Sequence, residues 1–231
     1  MVRVARVVMV TAALAVAACG ATPTPAAPST SGGQEAMASI MLIAHRGGSL
    51  LAPENTLAAF ARGIAEKADG VEMDVHLSKD GEIIVMHDAD LSRTTDGSGK
   101  IGDLTLAEIR RYNAAAKFGG GAVDPQKVPT FQEAVDLVAG RVALQVEIKV
   151  KPDGTRYAGI EQKVIDVLRK ANMVEKTVVI SFDWNVLKDI KAIEPRLNTG
   201  ALAGSAYFRS VSDPATAAQQ VKAVGADYFG V

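Results

Sequence analysis

The sequence has little cysteine, little aromatic character and no excess of charge of either sign. One cysteine among 231 residues, Cys19, excludes an intramolecular disulfide framework. With 25 basic against 26 acidic residues the formal net charge is −1, so no basic surplus is present to neutralise a phosphate backbone, and nucleic-acid binding starts low among function classes. Aromatic residues make up only 5% of the chain and hydrophobic residues 48%. That is the composition of a globular domain, not of a disordered or collagen-like chain. The uncharged run from Val7 to Ala18 is too short to span a bilayer comfortably as a helix.

That run is read as part of a leader. Arg3 and Arg6 give a positive start, the apolar stretch follows, and Val16-Ala17-Ala18-Cys19 closes it. Small residues before a cysteine resemble the lipobox of bacterial lipoproteins, in which the cysteine is lipidated and becomes the new first residue. The alternative is an ordinary secretory signal with small residues at its cleavage site. Residues 21–33, ATPTPAAPSTSGG, cannot bury a core and read as a tether. The expected organisation is a signal peptide over 1–18, a tether over 19–39 and one domain over 40–231. The expected location is the cell envelope, anchored through Cys19, with free secretion or the periplasm as the other reading.

From residue 40 strand and helix patterns alternate. Strands are predicted at 41–44, 70–77, 83–86, 142–150, 177–182, 198–203 and 226–231. Helices are predicted at 56–67, with Asn55 as its cap, and at 106–113, 131–139, 156–172, 185–193 and 213–224. Alternation of this kind implies right-handed crossovers and a parallel sheet, either doubly wound or closed into a barrel. Residues 88–126 are irregular and rich in Gly, Asp and Thr, and read as an excursion after the third strand.

The chain holds only three histidines, and two of them, His45 and His87, directly follow predicted strands. In parallel α/β folds the carboxyl ends of strands carry the site. Glu72 and Asp74 alternate onto one face of a strand, as do Glu147 and Lys149 on a later one. Buried acids need a partner. One reading is a structural ion pair between Glu147 and Lys149 or Arg46. The other is a site for a hard cation, Mg2+ or Ca2+, with Glu72, Asp74 and Glu147 as ligands. His45 and His87 would then flank it as acid and base, and Arg46 and Lys149 would hold an anion, a set suited to phosphodiester cleavage. His76 shares the face of Glu72 and Asp74 and reads as a supporting contact. Trp184, at a strand-to-helix junction, reads as packing, with a place on the pocket rim as the other reading.

Four segments in order, AHRGGSLLAPENTLAAF (44–60), DGVEMDVHLSKDG (69–81), VMHDADLSRTTDGSG (85–99) and LQVEIK (144–149), resemble the motifs of the glycerophosphodiester phosphodiesterase family. The resemblance covers essentially everything after residue 40. It implies a TIM-type barrel with a small insertion after the third strand, and hydrolysis of glycerophosphodiesters to glycerol 3-phosphate and an alcohol. It implies Glu72, Asp74 and Glu147 as ligands of a divalent cation, His45 and His87 as the acid–base pair, and Arg46 and Lys149 on phosphate.

Seven strands are counted where such a barrel has eight, and the Trp-Thr-x-Asn stretch of the resembled family has no counterpart here. The barrel is therefore expected to be incomplete at its C-terminal end, open between its first and seventh strands, with an exposed edge along the first. The alternatives are a related lipid phosphodiesterase of lysophospholipase D or sphingomyelinase D type, or a lipid-anchored protein that binds phosphodiesters without turnover.

Overall fold

The computed structural model describes residues 40–121 and 123–230. The expected leader, tether and Cys19 lie outside the described residues. Seven strands form one sheet: β1 (Ile43–Ala44), β2 (Gly70–Leu77), β3 (Ile83–Val85), β4 (Ala143–Ile148), β5 (Thr177–Ser181), β6 (Asn198–Leu202) and β7 (Tyr228–Gly230). The helices are α1 (Leu57–Ala65), α2 (Leu106–Ile109), α3 (Phe131–Val138), α4 (Ile160–Lys170), α5 (Trp184–Ile193), α6 (Ser205–Ser210) and α7 (Pro214–Ala223).

The main path of the sheet runs β1-β2-β4-β5-β6-β7, every neighbour parallel. All seven expected strands are present, but β3 is not a rung of the parallel series. It folds back antiparallel on the end of β2, Val75 opposite Val85 and Leu77 opposite Ile83. The Asp80-Gly81 turn between them is too short to carry a crossover, and only an antiparallel return fits it. The path is thus a parallel half-barrel, with β3 as a flap that starts the excursion over residues 88–126.

Among the described residues β1 has a strand partner on one side only, β2. Before it Ile40, Met41 and Leu42 are 87%, 53% and 62% exposed. The expected apolar edge is there, and with a ladder on one flank the strand is shorter than the predicted 41–44.

Every residue of β2 is buried, and so are Leu144, Val146, Glu147 and Ile148 of β4, as parallel strands under helices require. Val71, Met73, Val75, Val146 and Ile148 lie under α3 and α4, whose Phe131, Val135, Val138, Val164, Ile165 and Leu168 are fully buried against them. At roughly 1.5–3 kcal/mol for each large apolar side chain buried, this layer is the main support of the sheet. Excursion residues Leu91, Ile101 and Ile109 build a second, smaller core under Ile84 and Met86. Helix α6 was not expected from the sequence; it is a short segment without a buried face.

Candidate active site

The carboxyl ends of β1, β2 and β4 converge with the end of β3 on one cluster. The segment His45-Arg46-Gly47 leaves β1 as a tight turn in which Arg46 takes φ 51° and Gly47 φ 80°. Only glycine fits at 47. A Cβ there would stand 2.7 Å from the Phe60 ring and 2.8 Å from the α1 backbone. This close approach lets α1 press against the turn and holds the Arg46 amide toward β2, where it donates to Glu72 Oε2 at 2.6 Å.

Register places Asp74 of β2 beside Glu147 of β4. Glu72, Asp74 and Glu147 are buried, 4%, 1% and 8% exposed, and each offers an oxygen within 4.8 Å of the others. Lys149 Nζ lies 2.8 Å from Asp74 Oδ1 and 2.7 Å from Glu147 Oε1. The ion-pair reading of the acidic face is seen directly, and around the pair stands a carboxylate cluster that could hold a cation. Lys149 does not reach Glu72, whose oxygen has the Arg46 amide and, at 4.0 Å, His45 Nε2.

The electrostatics follow from this uneven sharing. Burial and the neighbouring Asp74 push the Glu72 carboxyl up to about 8. Burial also raises Glu147, only partly countered by Lys149. For Asp74 burial pushes the same way, but Lys149 and a hydrogen bond from Asn55 outweigh it and hold the carboxyl below its ordinary value. Glu72 is thus a buried acid lacking a cationic partner inside an all-oxygen cluster. That donor set fits a hard divalent cation.

His45 is half exposed, and burial together with Arg46 lowers its pKa. His87 follows β3, and its Nδ1 lies 2.6 Å from Asp88 Oδ1. Arg93 Nε donates to Asp88 Oδ2 at 2.6 Å, and its two terminal nitrogens donate to Glu54 at 2.9 and 2.6 Å. Glu54 also accepts from Arg46 Nη1 at 3.0 Å. Among the described residues the buried Arg46 Nε has no hydrogen-bond partner, and it stands 3.8 Å from Asp74 Oδ2.

The structure brings Glu72, Asp74, Glu147, Arg46 and Lys149 into one cluster and sets His45 at its edge. His87 heads the Asp88–Arg93–Glu54 chain that ends on Arg46. His76 is turned aside: Nδ1 meets the Tyr157 hydroxyl at 3.0 Å and Nε2 the His87 carbonyl oxygen at 3.1 Å. With burial lowering its pKa to about 4, it is a neutral brace. Trp184 donates to the Leu202 carbonyl and stacks among aromatics, as packing.

Asn55 departs from expectation. Thr56, not Asn55, caps α1, its hydroxyl accepting from the Ala59 amide. Asn55 instead clasps Asp74, donating from Nδ2 to Oδ2 at 2.8 Å and accepting the Asp74 amide at 3.3 Å. Asn55, Asp88, Arg93 and Tyr157 are the supporting residues that sequence reasoning missed. The left-handed φ of 57° at Asn55 exists only in the folded backbone, but Asp88 directly after a candidate catalytic histidine is visible in the sequence.

Fold and site together define a barrel-type α/β protein with a carboxylate, lysine and histidine centre at the carboxyl ends of its strands. A model of the glycerophosphoryl diester phosphodiesterase family matches residues 45–230, and the chain belongs to that family. A glycerophosphodiester phosphodiesterase of Caldanaerobacter subterraneus is 41% identical over 162 residues, 70% of this chain and 66% of that protein. The crystal structure of a glycerophosphodiester phosphodiesterase from Agrobacterium tumefaciens superimposes with a TM-score of 0.62 at 30% identity, covering 70% of this chain and 66% of that one. A phosphodiesterase of Oleispira antarctica, solved with the product sn-glycerol-3-phosphate, matches with a TM-score of 0.62 at 27% identity and 83% coverage of both chains. The chain spans about two thirds of the length of the first two of these relatives.

Proposed function

We propose that this protein hydrolyses glycerophosphodiesters to glycerol 3-phosphate and an alcohol. The observation that carries the reading is the buried Glu72 carboxyl, held by the Arg46 amide but by no lysine or arginine side chain among the described residues, beside Asp74 and Glu147 and ringed by Arg46, Lys149 and His45, with His87 on its carboxylate brace. The relatives named above, one of them solved with the product, support the same chemistry.

In this reading Glu72, Asp74 and Glu147 hold a divalent cation, Mg2+ or Ca2+. When bound, it supplies Lewis-acid polarisation of a phosphate oxygen. Arg46 and Lys149 take the phosphate charge. Asp88 fixes His87 through Nδ1 and leaves Nε2 as the working nitrogen, which exchanges a proton with the attacking hydroxyl or the leaving alcohol. His45, its pKa lowered, serves as the other partner of that exchange. Tyr157 and His76 hold the His87 backbone in place from behind.

We propose also that the protein is exported and tethered to the envelope through a lipid on Cys19, which the small residues before it support. No helix among the described residues is long and apolar enough to cross a membrane. Phosphorus NMR of glycerophosphocholine incubated with the protein and Mg2+ or Ca2+ tests the reaction. Accumulation of glycerol 3-phosphate is expected, and accumulation of choline phosphate in its place contradicts the proposed cleavage.

A further inference from the structure

The two flanks of the carboxylate cluster differ in character. Toward β1 and β3 stand Arg46, Glu54, Asp88 and Arg93, all charged. Toward β5 and β6 the register continues the inner face: Glu147 lies beside Ile180, and Ile180 beside Gly200. The Ser181 hydroxyl donates to the Ile148 carbonyl at 2.9 Å, so the next residues, Lys149 and Phe182, leave the sheet side by side. With strands about 4.8 Å apart and a rise of about 3.3 Å per residue, Phe182 starts about 8 Å from Glu147.

There Phe182, Trp184, Leu202, Ala203, Gly204 and Tyr207 line an open pocket of about 280 Å³. Phe182 is 57% exposed. The polar handles of the aromatic wall are already used within the protein. Trp184 Nε1 donates to the Leu202 carbonyl at 2.8 Å, and the Tyr207 hydroxyl donates to Gln220 at 2.8 Å. Trp184 packs against Tyr207 at 5.3 Å and edge-on to Phe229 at 6.3 Å between centroids, which holds the wall rigid. Among the described residues no charged side chain lines the pocket. Its lining is mostly apolar and offers no counter-charge.

We propose that this pocket is a specificity subsite that takes the apolar part of the substrate's alcohol arm, while the hydroxyl-bearing glycerol arm lies against the charged flank. The inference rests on the phosphodiesterase reading and adds a substrate class to it: glycerophosphodiesters whose alcohol carries an uncharged aliphatic chain. A phosphate centred on Lys149 places one arm directly beside Phe182, and an aliphatic chain there displaces water from a mostly apolar surface.

The test has two arms. In the first, kcat/KM is compared for the glycerophosphodiesters of hexanol, glycerol and choline. A preference for the hexyl diester of at least about tenfold, carried by KM, is expected, as burial of a few methylenes implies. Phe182→Ala is expected to erase most of that preference, and Phe208→Ala, in the aromatic cluster but outside the pocket, to keep it. Equal kcat/KM for hexyl and glyceryl diesters overturns the proposal, and a choline preference lost in Phe182→Ala replaces the aliphatic occupant with a cation and overturns it too.

The second arm needs no turnover. Trp184 is the only tryptophan of the chain. Its emission is expected to shift when hexyl phosphate is added and not when ethyl phosphate is. A shift in a protein that hydrolyses no diester supports the pocket and sinks the hydrolytic reading; no shift with hexyl phosphate overturns the pocket.

Discussion

Arg93 and Glu54, 39 positions apart, meet as a two-pronged ion pair at 2.6 and 2.9 Å. The same guanidinium holds Asp88, and the same carboxylate holds Arg46. The turn after β1 and the loop after β3 are thereby locked to each other, and each carries a candidate catalytic or phosphate-holding residue. A forked Arg–carboxylate pair fixes orientation in a way a lysine cannot. Arg93→Lys and Glu54→Gln are therefore expected to lower kcat on the order of tenfold to a hundredfold. Because the pair is partly exposed, the melting temperature should move little. The double variant should lose little more than either single one. Additive losses in steady-state kinetics would contradict a shared clamp.

The histidines should separate cleanly. His45→Ala and His87→Ala are each expected to cost about a hundredfold or more in turnover, the usual scale for a general acid or base. Asp88→Asn keeps the shape but weakens the grip on Nδ1, and should shift one limb of a bell-shaped rate–pH profile. His76→Gln should lower thermal stability more than turnover, because His76 joins Tyr157 to the His87 carbonyl and touches no candidate ligand. Equal kinetic losses at all three histidines would contradict the assignment.

Glu72 carries the pH dependence of the cluster. Its carboxyl is raised from an ordinary 4.5 to about 8, so between those values the folded protein holds a proton that the unfolded chain has released. The folded state then binds more protons, and this group's contribution makes stability fall as pH rises through that window. A cation takes the place of the proton, so its stabilising effect should grow with pH. Thermal melts with Mg2+ or Ca2+ against chelator are expected to show a larger gain at pH 8.5 than at pH 6. Glu72→Gln should flatten both trends. A cation-induced gain that is greater at pH 6 would contradict the role of Glu72.

Much of this was legible in the sequence. The period-two pattern of residues 70–77 fixes both faces of β2 and puts Glu72 and Asp74 together, and the structure returns that strand with the same bounds. Glu147 and Lys149 are legible for the same reason. The direction of β3 was less so, because Ile83–Val85 reads as a strand whichever neighbour it pairs with. The roles of Asn55 and Arg93 were hidden by local chemistry. An Asn before a helix looks like a cap, and only the tertiary approach of β2 gives it Asp74 as a partner. An Arg in an irregular loop carries no pattern until the loop folds over Glu54.

The lipid anchor is checked by fractionation. Protein with Cys19 intact is expected with the membranes, and Cys19→Ala is expected in the soluble fraction or left unprocessed. Wild-type protein found soluble would contradict the lipid proposal and leave plain secretion.

The central claim is that three buried carboxylates make this a cation-dependent diesterase. Its most direct measurement is the initial rate on glycerophosphocholine after dialysis against chelator, then after Mg2+ or Ca2+ is restored, in wild type and in Asp74→Asn. The rate is expected to fall to background with chelator and return with cation in wild type, and to stay at background throughout in the variant. A full rate in chelator, or an Asp74→Asn protein as fast as wild type, would contradict the account and leave the Lys149 ion pair as the whole meaning of the cluster.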